Sequence, residues 1–260
     1  MTGSIAAACA LLGLLVGSFL NVVIWRVPRK ESVVAPRSHC PGCDALISPR
    51  DNVPVLSWIL LRGRCRHCQT KISVRYPLIE IGCAALFAAL GARFAHSWAL
   101  PAYLVLGAGL IALSAIDLEH YILPNRIVYP LGIAAVPLLA LGAGLDGDWW
   151  AFVRALIGAV CAFAALFAIH VASPRGMGFG DVRLSFVLGL YLGYLGALDV
   201  VVGLFLGFLY GALIGIALMA FRKRGRRQHI PFGPFLAAGT LTIVLVGGPI
   251  LDWYRGLGRG

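Results

Sequence analysis

SIAAACALLGLLVGSFLNVVI, residues 4–24, carries no charged side chain over a length that, wound as a helix, reaches about 30 Å. That is the thickness of a bilayer's hydrocarbon core. A secretory signal carries its positive charge ahead of the apolar run, whereas here the first basic residue, Arg26, comes after it. The segment therefore reads as a retained first membrane helix.

The same test applied outward from this stretch finds seven further runs: 78–95, 99–116, 127–145, 151–171, 182–198, 200–221 and 232–251. Composition agrees. Of 260 residues, 60% are hydrophobic and 13% charged, with a mean hydropathy of +0.87. A soluble domain carries about a quarter charged residues, so lipid must cover much of this surface. The expected fold is an all-α polytopic membrane protein of about eight transmembrane helices.

Eight spans put both termini on one side, and the basic residues choose the side. With the termini outside, the inner segments hold ten basic residues between Arg26 and Arg75, then Arg126, Arg175, Arg183 and five between Arg222 and Arg227. The remainder are Arg93, Arg154, Arg255 and Arg259. The net charge of +11 is thus an orientation signal and an attraction to anionic membrane lipids. The run RKRGRR at 222–227 reads as a juxtamembrane cluster, and no nucleic-acid partner is expected. Glycines 203, 207, 211 and 215 recur every fourth residue, which suits close helix packing. Cys9, Cys83 and Cys161 lie in apolar runs and read as small core residues.

Three segments follow: a first transmembrane helix at 1–24, a polar cytoplasmic loop at 25–77, and a transmembrane core at 78–260. The loop contains Cys40-Pro-Gly-Cys43 and Cys65-Arg-His-Cys68. Two such knuckles complete a tetrahedral four-sulfur metal site, and a shell closed in this way is structural because it leaves no open position. Two disulfides or a redox-active pair are the competing readings. The first needs an oxidising compartment, and the second a βαβ context that is absent here.

Most of the eleven carboxylates fall in polar loops or at outer span ends. Glu80, Asp117, Glu119 and Asp181 instead sit at inner span ends. Asp117 closes the run Leu100–Ile116, and Asp181 follows Gly176-Met177-Gly178-Phe179-Gly180. Singly, Asp181 suits a helix N-cap and Asp117 a span end. As a pair at matched depth they suit acid–base chemistry, one carboxylate activating water while its protonated partner polarises a carbonyl.

Gly178-Phe179-Gly180-Asp181 resembles the GxGD signature of membrane aspartyl proteases. The longer string from Gly176 to Leu184 resembles the type IV prepilin peptidases. So do Asp117 with Leu123-Pro124-Asn125, Gly17-Ser18-Phe19-Leu20-Asn21-Val22, Pro231-Phe232-Gly233-Pro234-Phe235, and the paired-cysteine loop ending in Arg75-Tyr76-Pro77-Leu78-Ile79-Glu80. The resemblance covers residues 13–240, in the family's order. It implies an endopeptidase of the bacterial inner membrane that removes the basic leader from prepilin and pseudopilin precursors at the cytoplasmic face. Asp117 and Asp181 carry over as catalytic, and Cys40, Cys43, Cys65 and Cys68 as structural zinc ligands. It further implies N-methylation of the new N-terminus with S-adenosylmethionine, and Gly63 resembles a glycine tied to that activity. Arg183 departs from the family's frequent lysine, exchanging a point charge for a planar fork. A basic inner surface does not attract a basic leader, so Glu80 or Glu119 is the expected local counter-charge.

Two other classes compete. A proton-coupled transporter would explain intramembrane acids, but these lie at the inner border and no inverted repeat is evident. A zinc-bearing secretion scaffold would explain the cysteines and leave the GxGD string idle.

Overall fold

A computed structural model describes residues 2–174, 176–220 and 231–257, the side chains of 249–257 excepted. The cluster at 222–227, Arg175, Arg259 and the side chains of Asp252 and Arg255 lie outside the described residues. The described chain is all-helical, and two isolated bridges are its only β pairings. It divides into two compact units, residues 1–95 and 96–260.

The first unit is built on α1 (Thr2–Arg26) and α3 (Arg75–Arg93), which pack against each other. Small residues set their separation. A methyl group on Gly13 would lie 2.7 Å from the Ala84 Cα, and one on Gly17 2.8 Å from the Glu80 Cα. Cys9 and Cys83 are buried, as expected of small core residues. Between the helices run a 3₁₀ turn (Pro49–Asn52), the short α2 (Leu56–Leu60) and the cysteine knuckles. Arg26 ends α1 buried, its guanidinium donating to the carbonyls of Ser32 and Pro36 at 3.0 and 2.7 Å.

The second unit contains α4 (Leu100–His120), α5 (Asn125–Asp146), α6 (Trp149–Ala172), α7 (Phe179–Leu195), α8 (Ala197–Ala220) and α9 (Gly233–Leu257). Helix α7 is its centre, with twelve of seventeen residues buried. It meets α6 through glycines: a methyl group on Gly158 would lie 2.7 Å from the Gly189 carbonyl. The four-residue glycine repeat of α8 does bring helices together, because Gly203 and Gly207 face Gly239 of α9 backbone to backbone. Cys161 departs from expectation. It lies on the exposed face of α6, since the buried side of that helix is defined by Ala155, Ala159, Ala162 and Leu166.

Each of the eight apolar runs became a helix. Six of them, α1, α3, α4, α5, α6 and α8, are long and apolar enough to cross a membrane. Helix α7 is shorter at seventeen residues, and the apolar part of α9 covers Gly233–Gly248. Outward-facing Leu11, Ile133, Val160 and Phe205 are each more than 60% exposed, the surface of a protein whose solvent is lipid.

Candidate functional site

Asp117 lies in the last turn of α4. The helix stops at Tyr121, whose φ of 57° places it in the left-handed region and whose N–H closes on the Asp117 carbonyl at 2.9 Å. The chain then passes through Ile122 and Leu123 to Pro124, which cannot continue a helix and instead precedes the first residue of α5. Across from this turn, α9 begins at Gly233, whose N–H donates to Asp117 Oδ2 at 3.0 Å. That N–H is one of the donors a helix start leaves without an intrahelical acceptor, so α9 points the positive end of its dipole at the carboxyl.

Asp181 is not the N-cap of α7. The helix starts two residues earlier, with Gly178 as cap, and Asp181 occupies its first turn. Its N–H donates to the Gly178 carbonyl at 3.1 Å. Leu123 joins the two halves of the site. A methyl group on Gly180 would lie 3.2 Å from Leu123 Cβ, and one on Gly233 would lie 3.0 Å from Leu123 Cδ2 and 2.8 Å from Asp117 Oδ2. Asp117 and Asp181 are only 5% and 8% exposed, and Leu123 packs against the glycines beside both. Residues 64 apart in sequence thus share one buried site within the second unit.

Around it, Arg183 donates to Asn125 Oδ1 at 2.8 Å and lies over the Phe179 ring at 4.6 Å, tying the start of α7 to the start of α5. His170 Nδ1 meets the Met177 carbonyl at 2.8 Å and fixes the glycine-rich turn. Gly233, Leu123 and Asn125 are the contributors that the sequence left without roles. Their only signal was the motif strings that contain them. Of the two proposed leader counter-charges, Glu80 is buried in the first unit and accepts the Val55 N–H at 2.7 Å. Glu119 is more open, beside His120 at 3.9 Å.

The cysteine loop is a second site. Its knuckles are two copies of one structure: Cys40 N–H donates to Ala45 O and Cys65 N–H to Thr70 O, both at 2.9 Å. Bridges His39–Leu46 and Arg64–Lys71 close them, and Gly42 N–H and His67 N–H each approach a sulfur at 3.4 Å. The four Sγ atoms lie within 4.8 Å of one another, with Cys40–Cys68 at 3.7 Å and Cys43–Cys65 at 4.0 Å. A tetrahedral ion with metal–sulfur bonds of about 2.3 Å requires sulfurs about 3.8 Å apart, so the cluster can hold a metal. All four cysteines are free, as their spacing requires, since a disulfide brings sulfurs to about 2 Å.

Their protonation points the same way. Hydrogen bonding with the Thr70 side chain and backbone draws the Cys68 thiol down to about 6. Cys43 benefits from the Ala45 N–H, yet sharing hydrogen bonds with Cys68 and its other neighbours pushes it up to about 12. Crowded sulfurs hold protons between them until a cation takes their place.

Gly63 sits in the turn after α2 at φ +65°, where a methyl group would lie 2.8 Å from the Trp58 indole. Its N–H donates to Trp58 O and its carbonyl accepts from Ile72 N–H, both at 2.8 Å.

These features define a multi-pass, all-helical membrane protein with a buried acidic pair at helix ends and a four-cysteine loop that can hold a metal. The chain belongs to the type IV prepilin leader peptidase family. Residues 11–94 match the bacterial peptidase A24 N-terminal domain, and 104–219 match the type IV leader peptidase family. The prepilin leader peptidase/N-methyltransferase of Aeromonas hydrophila is 37% identical across 94% of this chain and 91% of its own length. That of Stutzerimonas stutzeri is 36% identical across 96% and 94%. The type 4 prepilin-like proteins leader peptide-processing enzyme of Escherichia coli O78:H11 is 37% identical across 89% and 90%. No solved structure matches the chain.

Proposed function

We propose that Asp117 and Asp181 are the catalytic pair of this enzyme. The chain is a multi-pass inner-membrane prepilin leader peptidase that also N-methylates its product. The observation that supports the residue assignment is a pair of buried carboxyls at the ends of three helices, with Leu123 packed against the glycines beside both and a backbone N–H fixing one of them. In the ionised state one carboxyl takes a proton from water as the oxygen attacks the scissile carbonyl. The protonated partner donates to the carbonyl oxygen and then, as the tetrahedral intermediate collapses, a proton passes to the leaving amine. A methyl group on Gly178 would lie 3.2 Å from Asp181 Oδ2, so this glycine keeps one approach to the carboxyl free for an extended peptide backbone.

Asp117→Asn and Asp181→Asn should each slow leader removal on the order of 10²–10⁴-fold while the melting temperature holds. Retained cleavage in both variants would end the assignment.

We read residues 1–24 as the first span, 25–77 as the cytoplasmic loop and 78–260 as the peptidase core, with both termini outside and the acidic pair at the cytoplasmic face. The basic-residue distribution supports that orientation. The substrates are prepilins and pseudopilins, held partly by lipid immersion of the precursor's apolar segment, with Glu119 facing its basic leader. Zinc is the metal that four thiolates in a tetrahedron favour, and Cys40, Cys43, Cys65 and Cys68 would hold it in a structural role. S-adenosylmethionine would supply the methyl group. Both backbone groups of Gly63 are hydrogen-bonded within the turn after α2, which favours a part in methylation through shaping that turn.

A further inference from the structure

Helix α2 is inside out. Its one buried residue is polar: Ser57 Oγ accepts the Val53 N–H and donates to the Arg50 carbonyl, both at 3.0 Å. Its aliphatic residues point outward, with Leu56 53%, Ile59 57% and Leu60 72% exposed. In water such a helix leaves apolar area uncovered while burying a hydroxyl, the reverse of what the hydrophobic effect rewards. In lipid the same arrangement is favourable.

Two neighbours fix how deep this segment lies. Val55, at the N-cap of α2, donates its N–H to Glu80, five residues beyond the start of α3 at Arg75, or about 7.5 Å along that helix. Asn52 and Pro54 line a cavity of about 460 Å³ together with Phe19 and Val22 of α1. Phe19 precedes the end of that helix at Arg26 by seven residues, about 10 Å. The Glu80 contact therefore places Val55 inside the end of α3, at the ~5–10 Å depth where in-plane elements rest, and the cavity, whose wall on α1 runs from Leu15 to Arg26, borders the same zone.

Immersion demands that backbone polar groups find partners within the protein. They do. Val53 N–H has Ser57, Val55 N–H has Glu80, and the N–H groups of Ser57, Ile59 and Leu61 have the carbonyls of Val53, Val55 and Ser57. The Trp58 indole N–H has Ile72 O at 3.2 Å. Val55 itself takes φ 61° and ψ −51°, a strained γ-turn for a β-branched residue, which persists because the buried Glu80 holds it. Arg50, Arg62 and Arg64 flank the segment in sequence, suited to anionic headgroups.

We propose that residues 53–60 form a re-entrant element lying in the phospholipid leaflet, at the headgroup–acyl boundary of the membrane that α1 and α3 cross. The placement rests on reading those two helices as spans. The test uses the full chain in phosphatidylcholine–phosphatidylglycerol nanodiscs, with a benzophenone side chain substituted in turn for Leu60, Ile59, Gln69 and Leu11. Leu11 is 66% exposed on α1 and reports the bilayer, while Gln69 lies in the second knuckle. After irradiation, intact-mass analysis should find phospholipid adducts at Leu60 and Ile59 close to the Leu11 yield and several-fold above Gln69. Yields at Leu60 and Ile59 no higher than at Gln69, or cross-links there to protein alone, would overturn the proposal while Leu11 still reports lipid. Failure at Leu11 as well would remove the span, and the re-entrant placement with it.

Discussion

A methyl group on Gly233 would press within 2.8 Å of the carboxyl oxygen that the same residue's N–H holds at 3.0 Å, and Leu123 leaves it nowhere else to go. Gly233→Ala should therefore displace Asp117 and lower kcat for leader removal roughly 10²-fold, with KM and melting temperature much less affected. Single-turnover kinetics on a prepilin would measure this. Gly180→Ala meets only Leu123, at 3.2 Å, and should cost less. The acidic residues themselves were readable from the sequence, because a carboxyl at the end of an apolar run is conspicuous. Gly233 was not, because a backbone N–H leaves no trace in residue type and its partner is 116 positions away.

Helices were legible where length and apolarity alone decide them. Six runs became helices able to span a bilayer, and the glycine ladder of α8 packed as its spacing implies. Helix α2 was invisible because Leu-Ser-Trp-Ile-Leu is too short for any period to register. The knuckles were legible from their spacing, and their duplication yields a further expectation. Cys43→Ser and Cys68→Ser remove equivalent ligands from equivalent turns, so both should reduce the metal-to-protein ratio to a similar extent, measured by elemental analysis. The 3₁₀ turn is fastened to the second knuckle by Asp51, bound through two Arg66 nitrogens with contacts as short as 2.6 Å. The Arg66 hydrogen bonds hold the Asp51 carboxyl below its usual range. A lowered native value means that this contribution is complete above the unfolded value of about 3.9 and fades as pH falls through the native one. Proteolytic nicking of the loop should consequently rise as pH falls through that range, whereas Asp51→Asn should raise nicking already at neutral pH and leave a smaller further rise in acid, where the thiolates take up protons.

At the scale of the whole chain, the two units carry different side-chain clusters: four cysteines that can hold a metal in the first and the acidic pair in the second. A four-sulfur ion supplies much of the folding energy of so small a loop. Chelation should thus raise hydrogen exchange across residues 36–72 and leave the helices of residues 100–220 protected. Uniform loss of protection would mean that the metal supports both units. Helix α7 carries one more implication. It is a seventeen-residue segment bearing Asp181 and Arg183 that buries twelve of its residues within the protein, so it makes a poor passenger for the translocon by itself. Its partner α6, which meets it where Gly158 faces Gly189 and Gly193 faces Ala155, leaves the ribosome first. Insertion of the two as a hairpin is the expected outcome, with Asp181 entering the membrane as cargo of the helix before it.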